Sequence, residues 1–140
     1  MSKVAVVYWS STGNTEAMAN AVVDGIKEKG GEAVLRTCED FDGSKVAEYD
    51  AIAFGCPAMG DEVLEEDEFE PLYDACKSKL AGKKVALFGS YGWGDGEWMR
   101  NWEEDAKGAG ITLACDSVIC NDAPDDEATA SLKELGAAIA

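Results

Sequence analysis

The chain has 140 residues, enough for one domain with a full-sized core, and no apolar run of membrane-spanning length. It has no histidine and five cysteines without a C-x-x-C pair, which excludes zinc and iron–sulfur ligand sets and every histidine-based hydrolase. With 28 acidic residues against 12 basic ones, the formal charge at pH 7 is −16, which argues against a nucleic-acid partner.

The opening Met-Ser-Lys-Val leads straight into a strand-like segment rather than a signal peptide, so the expectation is a cytoplasmic domain spanning 1–140. Lys3–Trp9 is an apolar, β-rich run suited to a central parallel strand buried on both faces. Met18, Val22 and Ile26 then recur at helical spacing, with Gly30 and Gly31 as the stop. Ala33–Thr37 predicts a second strand and Asp50–Gly55 a third, which runs into Cys56-Pro57. Phe69, Leu72, Tyr73, Cys76 and Leu80 mark a second helix stripe that closes near Gly82. Val85–Gly89 predicts a fourth strand. Trp98, Met99, Trp102, Ala106 and Ala109 line a third helix ended by Gly110, and Ile111–Cys120 contains a fifth strand. Asp122-Ala123-Pro124-Asp125 predicts the cap and first turn of a last helix, with Ala128, Leu132, Leu135 and Ile139 along one side. Cys38, Cys56, Cys76, Cys115 and Cys120 have apolar neighbours and predict buried thiols rather than redox chemistry at sulfur.

Five strands alternating with four helices predict a three-layer α/β domain with a parallel sheet. Ligands of such domains bind beyond the carboxyl ends of the strands, near a reversal of strand order. Three unusual loops fall there. The first, after Trp9, carries Ser10, Ser11, Thr12, Gly13, Asn14 and Thr15, and lacks both the lysine of a Walker A loop and a G-x-G-x-x-G pattern. Its hydroxyls, its glycine and a helix N-terminus suit a phosphate held without positive side chains; a plain cap on the first helix would need one such residue. In the second loop, Cys56-Pro57-Ala58-Met59-Gly60-Asp61-Glu62, Met59 offers a polarisable surface, Gly60 a permissive backbone and Glu62 an acceptor for a ring N–H. The third, Ser90-Tyr91-Gly92-Trp93-Gly94-Asp95-Gly96, sets an indole between glycines, a stacking platform for a flat ring. Trp98 and Trp102 belong on the core stripe, while Tyr91 suits either the third helix or a ligand. A phosphate at one end and a planar heteroaromatic system between Met59 and Trp93 at the other describe FMN better than a purine nucleotide.

These motifs, W-S-S-T-G-N-T-E at 9–16, C-P-A-M-G-D-E-V-L-E-E at 56–66 and G-S-Y-G-W-G-D-G at 89–96, make the chain resemble a flavodoxin of the short-chain type found in clostridia and related anaerobes. The resemblance covers essentially the whole chain. It implies a doubly wound sheet of order 2-1-3-4-5 with one non-covalent FMN, its phosphate on Ser10–Thr15 and its ring between Met59 and Trp93. It also implies that Glu62 accepts from flavin N3–H. The Gly60 carbonyl would turn to accept from flavin N5–H after one-electron reduction, so that the protein tunes potential by binding redox states unequally. The sequence departs from the family at Cys120-Asn121-Asp122-Ala123-Pro124, where related chains have Glu directly before Pro; Asp122 is the candidate replacement.

The implied role is a low-potential one-electron carrier, shuttling mainly between semiquinone and hydroquinone, monomeric and without substrate turnover. Asp61, Glu62, Glu65, Glu66, Asp67, Glu68 and Glu70 would oppose a second negative charge and present an acidic face to redox proteins with basic or complementary surfaces. Neither nucleic acid nor a membrane is an expected partner. The alternative on the same fold is a quinone reductase-type FMN enzyme, which needs an added substrate wall. A phosphoryl-accepting signalling domain would want acidic residues after the first strand and a lysine at the end of the fifth, where Ser10-Ser11 and Asn121 stand.

Overall fold

The structure is a computed structural model that describes residues 3–10, 13–59, 63–92, 94 and 96–140. β1 (Lys3–Tyr8) and β3 (Ala51–Gly55) are the apolar central strands, and β2 (Glu32–Thr37) flanks β1 at the sheet edge. β4 (Lys84–Tyr91) lies on the other side of β3 and β5 (Thr112–Leu113) beyond it, giving the order β2-β1-β3-β4-β5 with every pair parallel. Val6 is opposite Leu35 in one neighbour and Ala53 in the other, and Phe54 is opposite Leu87. This is the flavodoxin-like fold and the strand order implied by the family resemblance.

Because side chains alternate along a strand, β1 sends Val4, Val6 and Tyr8 to one layer and Ala5 and Val7 to the other. α1 (Asn14–Glu28) and α4 (Asp126–Ile139) cover the first layer with Met18, Val22, Ile26, Leu132, Leu135 and Ile139. α2 (Phe69–Lys77) and α3 (Glu97–Gly108) cover the second with Phe69, Tyr73, Trp98 and Trp102. Two glycines set the first layer's spacing. A Cβ at Gly25 would lie 2.1 Å from the Lys133 carbonyl oxygen, and one at Gly136 would lie 2.3 Å from that of Val22. The α1 and α4 backbones therefore touch, with no room for a methyl group.

Three boundaries differ from the periodicity. The fifth strand comes in two pieces, β5 (Thr112–Leu113) and β6 (Val118–Asn121), both paired with β4. Leu113 is opposite Val85 and Val118 opposite Phe88, so the chain spends more residues than β4 over that stretch and bulges at 114–117, around exposed Asp116. The cap of α4 is Asp125, whose carboxylate accepts from the Ala128 N–H at 2.8 Å, and residues 122–124 precede the helix rather than forming its first turn. α2 ends at Lys77; Leu80 reaches the core from the turn beyond it. Short 3-10 turns at 38–40 and 43–48, with no periodic signal in the sequence, connect β2 to β3. No described helix is long and apolar enough to cross a membrane.

Candidate ligand site at the carboxyl edge of the sheet

β1 and β3 are neighbours, yet the chain leaves β1 for α1 in one layer and leaves β3 for α2 in the other. Their carboxyl ends therefore diverge, and this is the switch point at which open α/β sheets bind ligands. The loops after β1, β3 and β4 all begin here.

The first loop is tied to β3 by the Trp9 N–H, which donates to the Gly55 carbonyl at 3.0 Å. Ser10 Oγ accepts from the N–H groups of Gly13 (3.1 Å) and Glu16 (3.4 Å), so this hydroxyl braces the start of α1. Gly13 is the cap residue, with φ +96° and nothing within 4 Å of where a Cβ would stand. The opening amides of α1 at Asn14 and Thr15 have no intrahelical acceptor, as at any helix start, and together with the helix dipole they form an anion-accepting end. Thr15 itself is only 1% exposed, set in the α1 layer. Ser11 and Thr12 lie outside the described residues.

Beside this end a cleft of about 590 Å³ runs toward the end of β2, between Trp9, Ser10 and Gly13 on one side and Thr37 and Cys38 on the other. Its charged lining residues are Glu16, Glu39 and Glu68. The Tyr8 hydroxyl donates to Glu16 at 2.9 Å; burial, then the bond and the charge of Glu16, push the phenol pKa up. An anion is thus favoured at the α1 amides and disfavoured in the cleft.

The second loop starts at Cys56, fully buried, whose N–H donates to the Phe88 carbonyl (3.2 Å) and whose carbonyl accepts from Trp98 Nε1 (3.3 Å). The Ala58 N–H donates to the Ser90 carbonyl at 3.0 Å, joining this loop to the third. Met59 and Val63 exchange two backbone hydrogen bonds of 2.8 and 3.1 Å. Gly60, Asp61 and Glu62, between them, lie outside the described residues.

In the third loop, buried Ser90 donates its hydroxyl to the Asp122 carbonyl at 2.6 Å, and the Asp122 N–H donates to the Tyr91 carbonyl at 2.9 Å. These bonds hold exposed Asp122 at φ +57°, the single non-glycine residue with positive φ among the described residues. Asp122 Oδ1 is 3.8 Å from a Cβ built on Gly92, so its carboxylate stands beside the third loop. Tyr91 packs against Trp98 with ring centroids 5.6 Å apart, on the third-helix side. Gly94 and Gly96 have φ of +90° and +93°, and Gly96 caps α3. Trp93 and Asp95 lie outside the described residues.

The structure therefore brings together Trp9, Ser10, Gly13, Asn14, Ala58, Met59, Ser90, Tyr91, Gly92, Gly94 and Asp122 at one edge. Two residues of the site's framework do not stand out in the sequence. Glu65 turns into the protein instead of joining the acidic surface, and the Glu68 carboxylate takes the Trp9 indole N–H at 3.4 Å. In an acidic run their only distinguishing sign is position, just ahead of Phe69, where a helix begins. All five cysteines are free thiols; Cys56 and Cys76 are buried and the other three half-buried. No group of three or more acidic or cysteine side chains suited to a metal ion occurs among the described residues.

The flavodoxin family model matches residues 6–135. The chain is 47% identical over 135 residues to the flavodoxin of Clostridium beijerinckii, covering 96% of this chain and 97% of that one. Among solved structures, two-electron reduced Megasphaera elsdenii flavodoxin is similar at a TM-score of 0.89 and 46% identity, covering 97% of both chains. A flavodoxin from the domain Archaea is similar at a TM-score of 0.86 and 31% identity, covering 98% of this chain and 95% of that one.

Proposed function

Since this chain belongs to the flavodoxin family, we propose that it is a one-electron carrier that holds FMN without a covalent bond and turns over no substrate of its own. The observation that carries this reading is the convergence of three loops on the switch point beside an uncrowded helix N-terminus, the first tied to the end of β3 and the second bonded to the third. The donor set fits a phosphate monoester: amides at Asn14 and Thr15, a hydroxyl at Ser10 that braces the turn, and space over Gly13 that any side chain would enter. Bound FMN would supply the one-electron chemistry, cycling mainly between semiquinone and hydroquinone at low potential.

The protein's own part is to bind and to bias. Ser10–Thr15 would hold the phosphate, and Ala58–Glu62 and Ser90–Gly94 the ring system, with Met59 and Trp93 as its apolar contacts. Glu62 would accept from N3–H, and the Gly60 carbonyl would discriminate between redox states. Asp122, fixed by Ser90 and Tyr91 one position ahead of where related chains have glutamate, is the candidate replacement for that carboxylate. The excess of 28 acidic over 12 basic residues opposes added negative charge and favours docking on basic rims of redox proteins. The carrier works as a cytoplasmic monomer, away from nucleic acid and membranes.

Titrating FMN into the flavin-free protein, followed by stepwise reduction under absorbance, tests the reading. One FMN per chain and two resolved one-electron steps are expected. Absence of binding would remove the proposal, and a single two-electron step would favour the quinone reductase-type alternative. Gly60→Ala should bring the two steps closer together, and unchanged steps would count against the Gly60 role.

A further inference from the structure

The acidic stretch after the second loop contains one residue unlike the others. Glu66, Asp67 and Glu68 are exposed, whereas Glu65 is 6% exposed. Burying a carboxylate costs several kcal/mol unless its oxygens are satisfied. Here they are: one oxygen accepts from the Asp67 N–H at 2.9 Å, the other from Glu68 at 2.7 Å and Phe69 at 2.8 Å. These amides open α2, so the charge also sits at the positive end of the helix dipole. Burial alone would push the Glu65 pKa up, but the three amide bonds outweigh it and hold it below the ordinary value.

The backbone of Glu65 points elsewhere. Its N–H donates to Cys56 Sγ at 3.4 Å, and its carbonyl accepts from the Glu70 N–H at 2.9 Å. One residue thus fastens the exit of the second loop to its entry and to the first turn of α2. Cys56 is anchored in turn by Phe88 and Trp98, and the Met59–Val63 pair lies between the two fastenings. Glu68 extends the connection, its amide held by Glu65 and its carboxylate by the Trp9 indole of the first loop.

We propose, resting on the FMN reading above, that Glu65 is a positioning residue of the ligand site. It ties Cys56 to the start of α2 on either side of the Met59–Val63 pair, and so sets both the affinity for FMN and the difference in affinity between its redox states. A simple cap would stabilise α2 and leave the potentials alone.

The test compares wild type, Glu65→Gln and Leu132→Ala, the last a core truncation in the opposite layer. Glutamine replaces one acceptor oxygen with a donor, which must face an amide N–H. In Glu65→Gln, hydrogen exchange at Asp67, Glu68 and Phe69 of the flavin-free protein should accelerate about 10-fold, within the range for a lost helix cap. FMN should bind roughly 10-fold more weakly, and the separation of the two one-electron potentials should change. Leu132→Ala should lower overall stability and leave that separation as in wild type. Faster exchange in Glu65→Gln with wild-type affinity and separation would overturn the proposal, as would an equal shift in Leu132→Ala. If Glu65→Gln does not fold, Cys56→Ala, which removes the other fastening, should shift affinity and separation, while Cys56→Ser, which keeps an acceptor, should restore them. The absence of both effects would also overturn it. A wild-type chain that takes up no FMN removes the functional reading itself, so the two failures are distinguishable.

Discussion

The two helical layers solve the same packing problem in opposite ways. Between α1 and α4 the contact is backbone against backbone at Gly25 and Gly136, above aliphatic residues such as Val22, Ile26, Leu132 and Leu135. Between α2 and α3 it is made of rings. Phe54, Phe69, Tyr73 and Trp102 meet mostly edge to face at 5.4 to 6.4 Å, and Tyr73 Oη and Trp102 Nε1 are buried with no hydrogen-bond partner among the described residues. The first layer offers a fixed platform from which α1 presents its N-terminus. The second carries the loop whose fastening depends on Glu65, and its core tolerates unsatisfied polar atoms.

Four substitutions or conditions would break or sharpen this contrast. Trp102→Ala removes a ring that both Phe69 and Tyr73 meet edge-on, and should cost about 4 kcal/mol in urea unfolding of the flavin-free protein. Gly136→Ala drives a methyl into the Val22 carbonyl and should cost about 2 kcal/mol by the same measurement. A neutral result would mean that the two helices can part without penalty. Acid comes next. The Glu65 pKa is depressed on folding, so its contribution is complete above the ordinary value of 4.5 and is lost as pH falls through the lower folded value. Stability of the wild type should therefore fall further below pH 4.5 than that of Glu65→Gln. Parallel curves would deny the buried carboxylate its role. Tyr73→Phe is the smallest expected change: it deletes a buried hydroxyl with no hydrogen-bond partner among the described residues and should leave stability within about 1 kcal/mol of wild type, neutral or raised. Burial pushes that phenol to about 12, as expected for a hydroxyl kept from water.

Much of the fold is legible from side-chain period. Val4 to Val7 reads as a strand buried on both faces and is one, and Trp98 and Trp102 fall one turn apart on a helix and are both in the core. What the period hides is where hydrogen bonds stop. Ile111–Cys120 reads as containing one fifth strand, yet the chain leaves β4 around Asp116 and rejoins it at Phe88, in two pieces. Asp122 and Asp125 are equally good caps on composition; only the backbone, with Asp122 held at positive φ by Ser90 and Tyr91, assigns the cap to Asp125. The three loops are legible as a site because parallel topology sends alternate strand ends to one edge. Glu65 is not, since one carboxylate among neighbours of the same sign differs from them only in the direction it faces.

The thiols carry a consequence of their own. Burial pushes Cys38 to about 12 and Cys76 to about 11, and also raises Cys56, Cys115 and Cys120 above the ordinary value. Oxidants and disulfides are attacked by the thiolate, so sulfurs kept protonated are poor reductants and poor electrophile traps. On the electron-carrier reading proposed above, the protein would meet oxidising and reducing partners in turn, and a reactive sulfur would divert some of that traffic into mixed disulfides. The five thiols of this chain are instead held in the protonated, unreactive form.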